Sequence, residues 1–392
     1  MFRRRRRNLP LSERGPLKVL FVITSMPVGG AETLLVNLVR RLDRTRFEPE
    51  LCCLKEFGPL GEVLAKEIPA VEKLIRHKYD YQVVGRIAKV MNERKIDAVV
   101  TVGTGGDKMF WGRLAAWRSG VPVVLSALHS TGLPDHVELP NRLLEPITDG
   151  FIGCAVPHGE YLAKHEGCPK KKVFVIPNGV DVDRFRPLEP SEELRAELKL
   201  EAGSPVATIV AALRPEKNHE LFLKAAALVH GRMPEARFLI IGDGAGRAAL
   251  EAQASDLGIA SAVRFLGTRR DIPELLAHTN VLVLSSHMEA NPVSIMEGLA
   301  CGKPVVATRV GSIPETVHEG VSGHLVEPGN AEELSDRIEH LFRNPKLAVQ
   351  MGAAGRAHIA DHWSLDRMVE GYQDLIKSIY LGKVAPSVSA LR

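Results

Sequence analysis

Short apolar segments alternate with helical segments along almost the whole chain, and this alternation is the feature that most restricts its fold. In the first half the pattern predicts strands at Lys18–Thr24, Pro49–Leu54, Val71–Ile75, Ala98–Val102, Pro122–Leu128, Phe151–Cys154 and Lys172–Ile176. The predicted helices between them are Thr33–Leu42, Tyr81–Arg94 and Lys108–Ser119. Such alternation indicates a parallel sheet covered by helices on both faces. The sequence therefore predicts an α/β fold with a doubly wound sheet.

The alternation starts again after a polar, proline-bearing segment, Arg186–Pro205, which is typical of a linker with a short helix. The second series predicts strands at Val206–Ala211, Arg237–Ile241, Val263–Leu266, Val281–Leu284 and Val305–Ala307. Its predicted helices are Asn218–His230, Arg247–Leu257, Asp271–Ala277 and Ala331–Arg343. We therefore predict four regions: a basic tail (1–15), two Rossmann-like domains (16–185 and 186–363) and a C-terminal helical segment (364–392).

The composition fits a two-domain globular chain. Of 392 residues, 45% are hydrophobic and 25% are charged, whereas aromatic residues make up 5%, which argues against the stacking platforms of nucleic-acid-binding proteins. The net charge of +4 comes from the tail, where Arg3 to Arg7 and Arg14 face only Glu13. Such a run fits a solvated, disordered tail, and it also fits weak attachment to anionic lipid.

Neither the start of the chain nor its cysteines predict a membrane anchor or a metal site. Val19–Thr24 is too short for a signal-peptide core and is interpreted as a strand. The five cysteines are odd in number and lack C-x-x-C spacing, which favours a reducing compartment over disulfides or zinc. No D-x-D cluster between strands and no H-x-x-x-H or Cys/His set offers an obvious divalent-metal site, so we expect no metal cofactor. The sequence predicts a cytoplasmic protein, with the arginine run as a peripheral contact to the inner face of the membrane.

Two glutamates stand out in Ser285–Gly302, a loop and helix between two predicted strands. Asn291 is predicted to cap this helix and Pro292 to occupy its first position, while Gly302 ends it. Glu289 then lies in the loop and Glu297 about two turns along the helix. A helix N-terminus at the carboxyl end of a strand attracts phosphates, and carboxylates beside it suit sugar hydroxyls. A sugar nucleotide has that layout, although two solvated glutamates would give the same spacing.

Glycines and a histidine follow two strands of the first half. Gly29 and Gly30 lie between a strand and a helix, where backbone can approach a ligand closely; a plain tight turn would use them equally well. His129 ends the strand Pro122–Leu128. The carboxyl end of a parallel strand faces the ligand crevice, so we interpret His129 as a substrate contact rather than a core residue.

Basic residues follow the first strand of the second half. Arg214 and Lys217 lie in LRPEKNH, which opens a helix, and they could neutralise a leaving diphosphate; two exposed charges are the alternative. Positive side chains are not favoured at a helix N-terminus, which supports the functional interpretation. The GDGAG turn that begins at Gly242 is a further, weak signal for ligand binding.

Six segments together resemble the retaining glycosyltransferases of family 4. They are GGAE (Gly29–Glu32), VIPNGVDVDRFRP (Val175–Pro187), RPEKNH (Arg214–His219), IGDG (Ile241–Gly244), EANPVSIMEGLACGKPVVAT (Glu289–Thr308) and GHLVEPGN (Gly323–Asn330). The resemblance covers the chain from about Lys18 to Tyr380. It implies the GT-B fold, in which two Rossmann-like domains face a central cleft and the C-terminal helix crosses back to the first domain.

The resemblance also implies an activity and a set of roles. A sugar would move from a nucleoside-diphosphate sugar to a glycan or lipid-linked acceptor, with retained anomeric configuration and without a metal. Glu289 would hold the donor sugar, Glu297 the ribose and Lys217 the diphosphate, while His129 would lie near the sugar and the acceptor. The other implied donor-binding residues are Gly29, Gly30, Arg214, Gly242, Asn291, Pro292 and Val293.

One position departs from the family pattern. Many members have an arginine where this chain has Ala212, and Arg214 could supply the missing guanidinium. Two other functions keep the same architecture: a sugar-nucleotide epimerase and an inactive sugar-nucleotide-binding subunit. The acceptor is not encoded readably in Lys55–Pro69 or Ser130–Pro140, and cell-envelope or exopolysaccharide synthesis is the role we expect from bacterial relatives. The absence of a G-x-S-x-G elbow counts against that type of hydrolase.

Overall fold

A computed structural model describes residues 15–77, 80–103, 109–129 and 138–384. The chain divides into two compact units, one formed by the chain up to Asn178 together with the chain from Leu365 onward, and one formed by Gly179–Ser364. The arginine run Arg3 to Arg7 and most of the segment Ser130–Pro140 lie outside the described residues.

The first unit contains a seven-stranded sheet in which every strand pair is parallel. Its strands are β1 (Leu17–Ile23), β2 (Phe47–Cys53), β3 (Ala70–Val71), β4 (Ala98–Gly103), β5 (Val123–Leu128), β6 (Gly150–Gly153) and β7 (Val173–Val175). The strand order is β3-β2-β1-β4-β5-β6-β7. The central strands consist of buried valine, leucine and isoleucine, as expected where helices cover both faces of a sheet.

Seven helices described for the first unit surround this sheet. They are α1 (Gly30–Arg41), α2 (Gly58–Leu64), α3 (Val83–Glu93), α4 (Met109–Ser119), α5 (Glu138–Leu144), α6 (Val156–His165) and the final helix, which is called α15 (Leu365–Val384) to keep chain order. Helix α15 buries Tyr372, Ile376 and Tyr380. It is fixed to the chain after α1 by the Gln373 side chain, which accepts a hydrogen bond from the Asp43 N–H at 2.9 Å.

The second unit contains a six-stranded parallel sheet. Its strands are β8 (Val206–Val210), β9 (Arg237–Ile241), β10 (Val263–Gly267), β11 (Val281–Leu284), β12 (Val305–Thr308) and β13 (Gly323–Val326). The strand order is β10-β9-β8-β11-β12-β13. All four residues of β11 are buried, and they contribute alternately to two core clusters on opposite faces of the sheet.

The described helices of the second unit lie between and after these strands. They are α7 (Glu192–Glu197), α8 (His219–Arg232), α9 (Arg247–Asp256), α10 (Ile272–Ala277), α11 (Val293–Ala300), α12 (Ile313–Thr316), α13 (Ala331–Arg343) and α14 (Pro345–His362). Close packing explains one glycine of α11. A Cβ at Gly298 would lie 2.3 Å from the Leu282 side chain, so a larger residue there would require Leu282 or the helix to move.

Two parallel sheets with helices between their strands confirm the predicted α/β class with doubly wound sheets. The strand predicted at Val71–Ile75 was wrong in extent, because only Ala70–Val71 pair with β2. The predicted helices α1, α3 and α13 are present. The sequence pattern did not predict the helices α2, α5, α6, α12 and α14 or the strand β13.

In both sheets the strand order reverses at one place, which decides where ligands are expected. The reversal lies between β1 and β4 in the first unit and between β8 and β11 in the second. In open α/β sheets, ligands bind outside the carboxyl ends of the strands at such a switch point.

In the part of the chain that is described, no helix is both long and apolar enough to span a bilayer.

Candidate active site

Two loops of the second unit meet at its switch point. One follows β8 and contains Arg214 and Lys217; the other follows β11 and contains Glu289. The loops are joined directly, because the His287 N–H donates to the Glu216 carbonyl oxygen at 2.9 Å. Lys217 and Glu289, which are 72 positions apart in the sequence, are thereby brought to one end of the sheet.

The loop after β8 is shaped by a single turn of 3₁₀ helix at Pro215–Lys217 and by Asn218. Asn218 adopts the left-handed conformation, with φ 48° and ψ 50°, which asparagine tolerates better than most residues. Its side chain accepts a hydrogen bond from the Leu221 N–H and so caps helix α8. The sharp change of direction places Lys217 just before the helix rather than on it.

Lys217 and Glu289 form an ion pair. The Lys217 Nζ lies 2.6 Å from Glu289 Oε1, and the Glu289 side chain is only 6% exposed. Ser286 Oγ donates a second hydrogen bond to the same Oε1, also at 2.6 Å. Neither contact was predicted. A buried carboxylate needs such partners, because an unpaired buried charge is strongly unfavourable.

The backbone of Glu289 is held by a glycine. Gly311 has φ +54°, and a Cβ there would lie 1.7 Å from the Glu289 carbonyl oxygen. Only glycine therefore allows the chain after β12 to pass so close to the glutamate loop. This close approach involves the backbone of Glu289, whereas the Lys217 ion pair involves its side chain.

Helix α11 starts one residue later than predicted. Its first residue is Val293, and Pro292 is the N-cap residue, without a side-chain capping bond. The prediction that Asn291 caps the helix was wrong, because its Nδ2 instead donates to Ser312 Oγ at 3.2 Å, buried beneath the loop. Gly302, with φ +72°, follows the helix end as predicted. Val293 is half-buried against the core.

Glu297 lies on α11, one turn into the helix. Burial raises the pKa of Glu297 to about 7, and the nearby Arg184 guanidinium opposes that rise. Arg184 itself donates to the Arg270 carbonyl oxygen at 2.9 Å and lies over the Phe185 ring. At neutral pH this carboxyl group is therefore partly protonated, unlike an ordinary surface glutamate.

Arg214 and Gly242 do not join the Lys217–Glu289 pair. The Arg214 side chain is 69% exposed, and its NH1 lies 3.9 Å from Glu216 Oε1. Gly242, at the end of β9, has φ +140°, and a Cβ there would lie 2.0 Å from the Ala211 carbonyl oxygen. The close approach of the β8 and β9 ends is thus a sufficient structural reason for this glycine.

The first unit presents different groups at the ends of its strands. Gly29 is the N-cap residue of α1 and Gly30 is its first residue, and a Cβ at Gly29 would lie 2.3 Å from the Glu32 carboxylate. His129 follows β5, and its N–H donates to the Gly103 carbonyl oxygen at 3.0 Å. Burial lowers the pKa of His129 to about 4, so its imidazole is neutral at physiological pH.

The described residues, 15–77, 80–103, 109–129 and 138–384, contain no metal-binding arrangement of three or more histidine, cysteine, aspartate or glutamate residues.

Ser285 and Ser286 were not predicted from the sequence as functional residues. Their position gave a usable signal, because they are the first two residues after a central strand at the switch point.

Two family models match the chain and together cover most of it. The model described as Glycosyltransferase Family 4 matches residues 28–184, and the model described as Glycosyl transferases group 1 matches residues 190–358. The chain belongs to glycosyltransferase family 4. The second match contains Arg214, Lys217, Glu289 and Glu297. The protein is therefore a glycosyltransferase of the GT-B type.

Relatives of this glycosyltransferase include one that matches nearly its whole length and one that matches half of it. It is 26% identical over 389 residues to a UDP-Gal:alpha-D-GlcNAc-diphosphoundecaprenol alpha-1,3-galactosyltransferase of Escherichia coli, covering 95% of this chain and 100% of the relative. It is 34% identical over 211 residues to a GDP-mannose-dependent alpha-(1-6)-phosphatidylinositol monomannoside mannosyltransferase of Mycolicibacterium smegmatis. That match covers 50% of this chain and 53% of the mannosyltransferase.

Solved structures with the same fold include a glycosyltransferase from Rickettsia africae. Its TM-score is 0.82 at 21% identity, covering 93% of this chain and 98% of that chain. The Anabaena protein HepE in complex with UDP-glucose has a TM-score of 0.80 at 23% identity, covering 92% and 100%. At these identities the likeness establishes the shared fold.

Proposed function

We propose that this glycosyltransferase moves a sugar from a nucleoside-diphosphate sugar, with retention of the anomeric configuration, to a glycan or lipid-linked acceptor in cell-envelope or exopolysaccharide synthesis. The observation that carries the proposal is the Lys217–Glu289 ion pair at the switch point of the second unit. It combines a cation suited to a diphosphate with a carboxylate suited to sugar hydroxyls.

Lys217 would change partners when the donor binds. In the structure its ammonium group neutralises Glu289, whose side chain is nearly buried. A diphosphate brings more negative charge than one carboxylate, so the ammonium group would move toward the phosphate oxygens. Its charge would then stabilise the negative charge that develops as the nucleoside diphosphate leaves.

Glu297 would hold the ribose of the donor. A carboxylate can accept hydrogen bonds from two neighbouring hydroxyl groups, whereas a protonated carboxyl group loses part of that capacity. Because burial raises the pKa of Glu297 to about 7, donor binding would depend on pH in the neutral range.

The chemical step would use few protein groups. The acceptor oxygen would form a bond to the anomeric carbon from the face that the diphosphate leaves. The proton of the acceptor hydroxyl would pass to an oxygen of the departing diphosphate. His129, neutral because burial lowers its pKa to about 4, would act as a hydrogen-bonding contact near the sugar and the acceptor. We expect no metal to be required.

The acceptor class is supported by relatives rather than by geometry. The Escherichia coli relative is named for a diphosphoundecaprenol acceptor, and the Mycolicibacterium smegmatis relative for a phosphatidylinositol mannoside. A lipid-linked acceptor would suit a protein whose Arg3 to Arg7 contact anionic lipid at the inner face of the membrane.

A thermal-shift panel followed by product analysis tests the proposal. The panel contains UDP-glucose, UDP-galactose, UDP-N-acetylglucosamine, GDP-mannose and ADP-glucose, each at about 100 times its expected Kd, where one site stabilises a protein by about 2.7 kcal/mol. We expect one nucleotide series to raise the melting temperature of the wild-type protein and Glu297→Ala to abolish the shift.

The products then separate the possible activities. A glycosylated acceptor with retained configuration supports the proposal, and an inverted linkage contradicts retention. An epimerised sugar nucleotide would identify an epimerase, and binding without turnover would identify an inactive subunit. If no sugar nucleotide in the panel stabilises the protein, the donor-binding part of the proposal is wrong.

A further inference from the structure

Two consecutive serines, Ser285 and Ser286, connect strand β11 to the glutamate loop. Both are fully buried, at 0% exposure. Their side chains make hydrogen bonds in different parts of the site, so the pair links the strand to both predicted donor contacts. A buried hydroxyl group is retained at low cost only when it is hydrogen-bonded, and both are.

Ser286 fixes the carboxylate of Glu289. Its Oγ donates to Glu289 Oε1 at 2.6 Å, on the oxygen that Lys217 also contacts. Both contacts fall on this oxygen, and within the described residues Oε2 has no hydrogen-bond partner in the protein. The Ser286 backbone is itself held by Thr308 Oγ1, which donates to the Ser286 carbonyl oxygen at 2.6 Å. The carboxylate is therefore held from one side, with its other oxygen available to a hydroxyl group.

Ser285 fixes the backbone of the lysine loop instead. Its Oγ lies 2.9 Å from the Asn218 carbonyl oxygen and 3.2 Å from that of Lys217, so its single hydroxyl proton is shared between them. These carbonyl groups belong to the sharp turn that directs the Lys217 side chain toward Glu289. Without Ser285 this turn keeps its contact through His287 but loses its anchor at the lysine.

We propose that Ser285 and Ser286 are positioning residues with separate roles: Ser286 holds Glu289 for the donor sugar, and Ser285 holds Lys217 for the diphosphate. This inference rests on the proposed function. When Lys217 turns to the diphosphate, Glu289 loses one of its two partners, and the Ser286 hydroxyl is the contact that remains. The two substitutions must therefore affect different parts of the donor.

Binding of three ligands to four variants tests the division of roles. The ligands are UDP-glucose, UDP and UMP, or GDP-mannose, GDP and GMP if the protein binds the guanine series. The variants are Ser285→Ala, Ser286→Ala, Ser286→Thr and the matched control Ser335→Ala, which removes a fully buried, hydrogen-bonded serine hydroxyl from helix α13 of the same unit.

Each serine has its own expected pattern. Ser286→Ala weakens sugar-nucleotide binding by about tenfold and weakens the nucleoside diphosphate by a smaller factor, because the diphosphate only withdraws Lys217 from Glu289, whereas the sugar also needs the fixed carboxylate. Ser286→Thr keeps the hydroxyl group and retains more of the sugar-nucleotide affinity than Ser286→Ala. Ser285→Ala weakens the sugar nucleotide and the diphosphate equally, by about three- to tenfold, and leaves the monophosphate unchanged. Ser335→Ala changes none of the three.

Two results would overturn the inference. If Ser286→Ala weakens the diphosphate as much as the sugar nucleotide, its role is general to the loop. If Ser285→Ala and Ser286→Ala give the same pattern, the separate roles do not exist. If the wild-type protein binds none of the sugar nucleotides, the proposed function has failed, and this is seen before any variant is compared.

Discussion

The strand ends of the two units of this glycosyltransferase carry different kinds of side chains. In the second unit, Lys217, Glu289 and Glu297 place charges at the strand ends, and hydrogen bonds hold the first two in place. Among the described residues of the first unit, the strand ends carry Gly29 and Gly30 after β1, beside the Glu32 carboxylate, and the neutral ring of His129 after β5. Similar sheet geometry thus supports a lysine–glutamate pair in one unit, and glycines with a neutral imidazole in the described part of the other.

Under the proposed function, this difference matches what each unit would bind. A diphosphate needs a cation, and a ribose or sugar needs fixed acceptors, both of which the second unit provides. An acceptor hydroxyl needs close backbone approach and a neutral hydrogen-bonding group, which suits glycines and an uncharged imidazole. If this contrast is correct, charge substitutions must act in the second unit, and changes in the first must act through shape and single hydrogen bonds.

The largest expected effect comes from removing the cation of the second unit. Lys217→Ala should lower kcat/KM by about 10²- to 10³-fold, since the leaving diphosphate loses its electrostatic partner. Steady-state kinetics with the sugar nucleotide identified by the thermal-shift panel measures this. Lys224→Ala, an exposed lysine on helix α8, is the matched control and should retain full activity. Equal losses in both variants would mean that net charge, not the Lys217 site, matters.

The next effect tests the backbone beneath Glu289. Gly311→Ala should lower the free energy of unfolding by about 1–3 kcal/mol and also weaken sugar-nucleotide binding, because its Cβ meets the Glu289 carbonyl oxygen. Gly320→Ala is the control, since Gly320 also has positive φ, +72°, but nothing lies within 4 Å of its Cβ. Denaturant unfolding measures the free energy of unfolding of the two variants, and calorimetry measures their affinity for the sugar nucleotide. Binding unchanged in Gly311→Ala would show that the loop tolerates displacement.

A smaller effect, graded with pH, is expected from Glu297. Burial raises its pKa to about 7 in the folded state, so protonation below that pH should weaken sugar-nucleotide binding, approaching tenfold per pH unit. Sugar nucleotides themselves do not titrate in this range. Glu297→Gln should bind more weakly at pH 8 and show no slope between pH 6 and 8. A slope that persists in Glu297→Gln would assign the titration to another group.

The same group has an opposite effect on stability. Because the folded state holds the Glu297 proton more tightly than the unfolded chain, its contribution to the free energy of unfolding falls as pH rises from about 4.5 to 7. The free energy of unfolding of Glu297→Gln, measured relative to the wild type, should therefore be higher at pH 8 than at pH 5. We expect a difference of about 1–3 kcal/mol after allowance for partial exposure. Unfolding curves at both pH values measure this difference.

The smallest expected effect belongs to the first unit. His129→Asn should lower kcat/KM by about tenfold through one lost hydrogen bond and leave the pH profile between 6 and 8 unchanged. Burial lowers the pKa of His129 to about 4, so the unfolded chain binds this proton more readily than the folded protein does. The free energy of unfolding therefore falls as pH drops from about 6.5 toward 4. The substitution should therefore reduce acid sensitivity at pH 5. His165→Asn, an exposed histidine, is the control.

The bounds of the helices and strands were predicted from the sequence better than the contacts between them. Arg237–Ile241, Val281–Leu284 and Ala331–Arg343 have the predicted bounds, because their apolar pattern is set locally. Helix α14 was not predicted, since its glycines are unfavourable in a helix by propensity. The structure gives the reason for one of them: a Cβ at Gly352 would lie 1.9 Å from the Gly302 carbonyl oxygen.

The candidate site shows the same limit. Glu289, Glu297 and Lys217 were predicted from their spacing and from family resemblance, and their roles stay predictions. Their pairing could not be predicted, because Lys217 and Glu289 are 72 residues apart and meet only through the order of strands in the sheet. The capping role of Asn291 was wrong for a related reason: a partner across the loop, Ser312, competes with the helix N-terminus for the side chain.

The return of the chain to its first unit affects how the protein is made. Helix α15 buries Tyr372, Ile376 and Tyr380 in a unit whose other elements end at Asn178. The surface of the first unit that α15 covers must wait while the whole second unit is synthesised. On a ribosome that adds about 5–20 residues per second, that takes roughly 10–40 s. The first unit therefore emerges first and is completed last, whereas the second unit is contiguous in sequence. A nascent chain stalled before Leu365 should expose an apolar groove that chaperones bind.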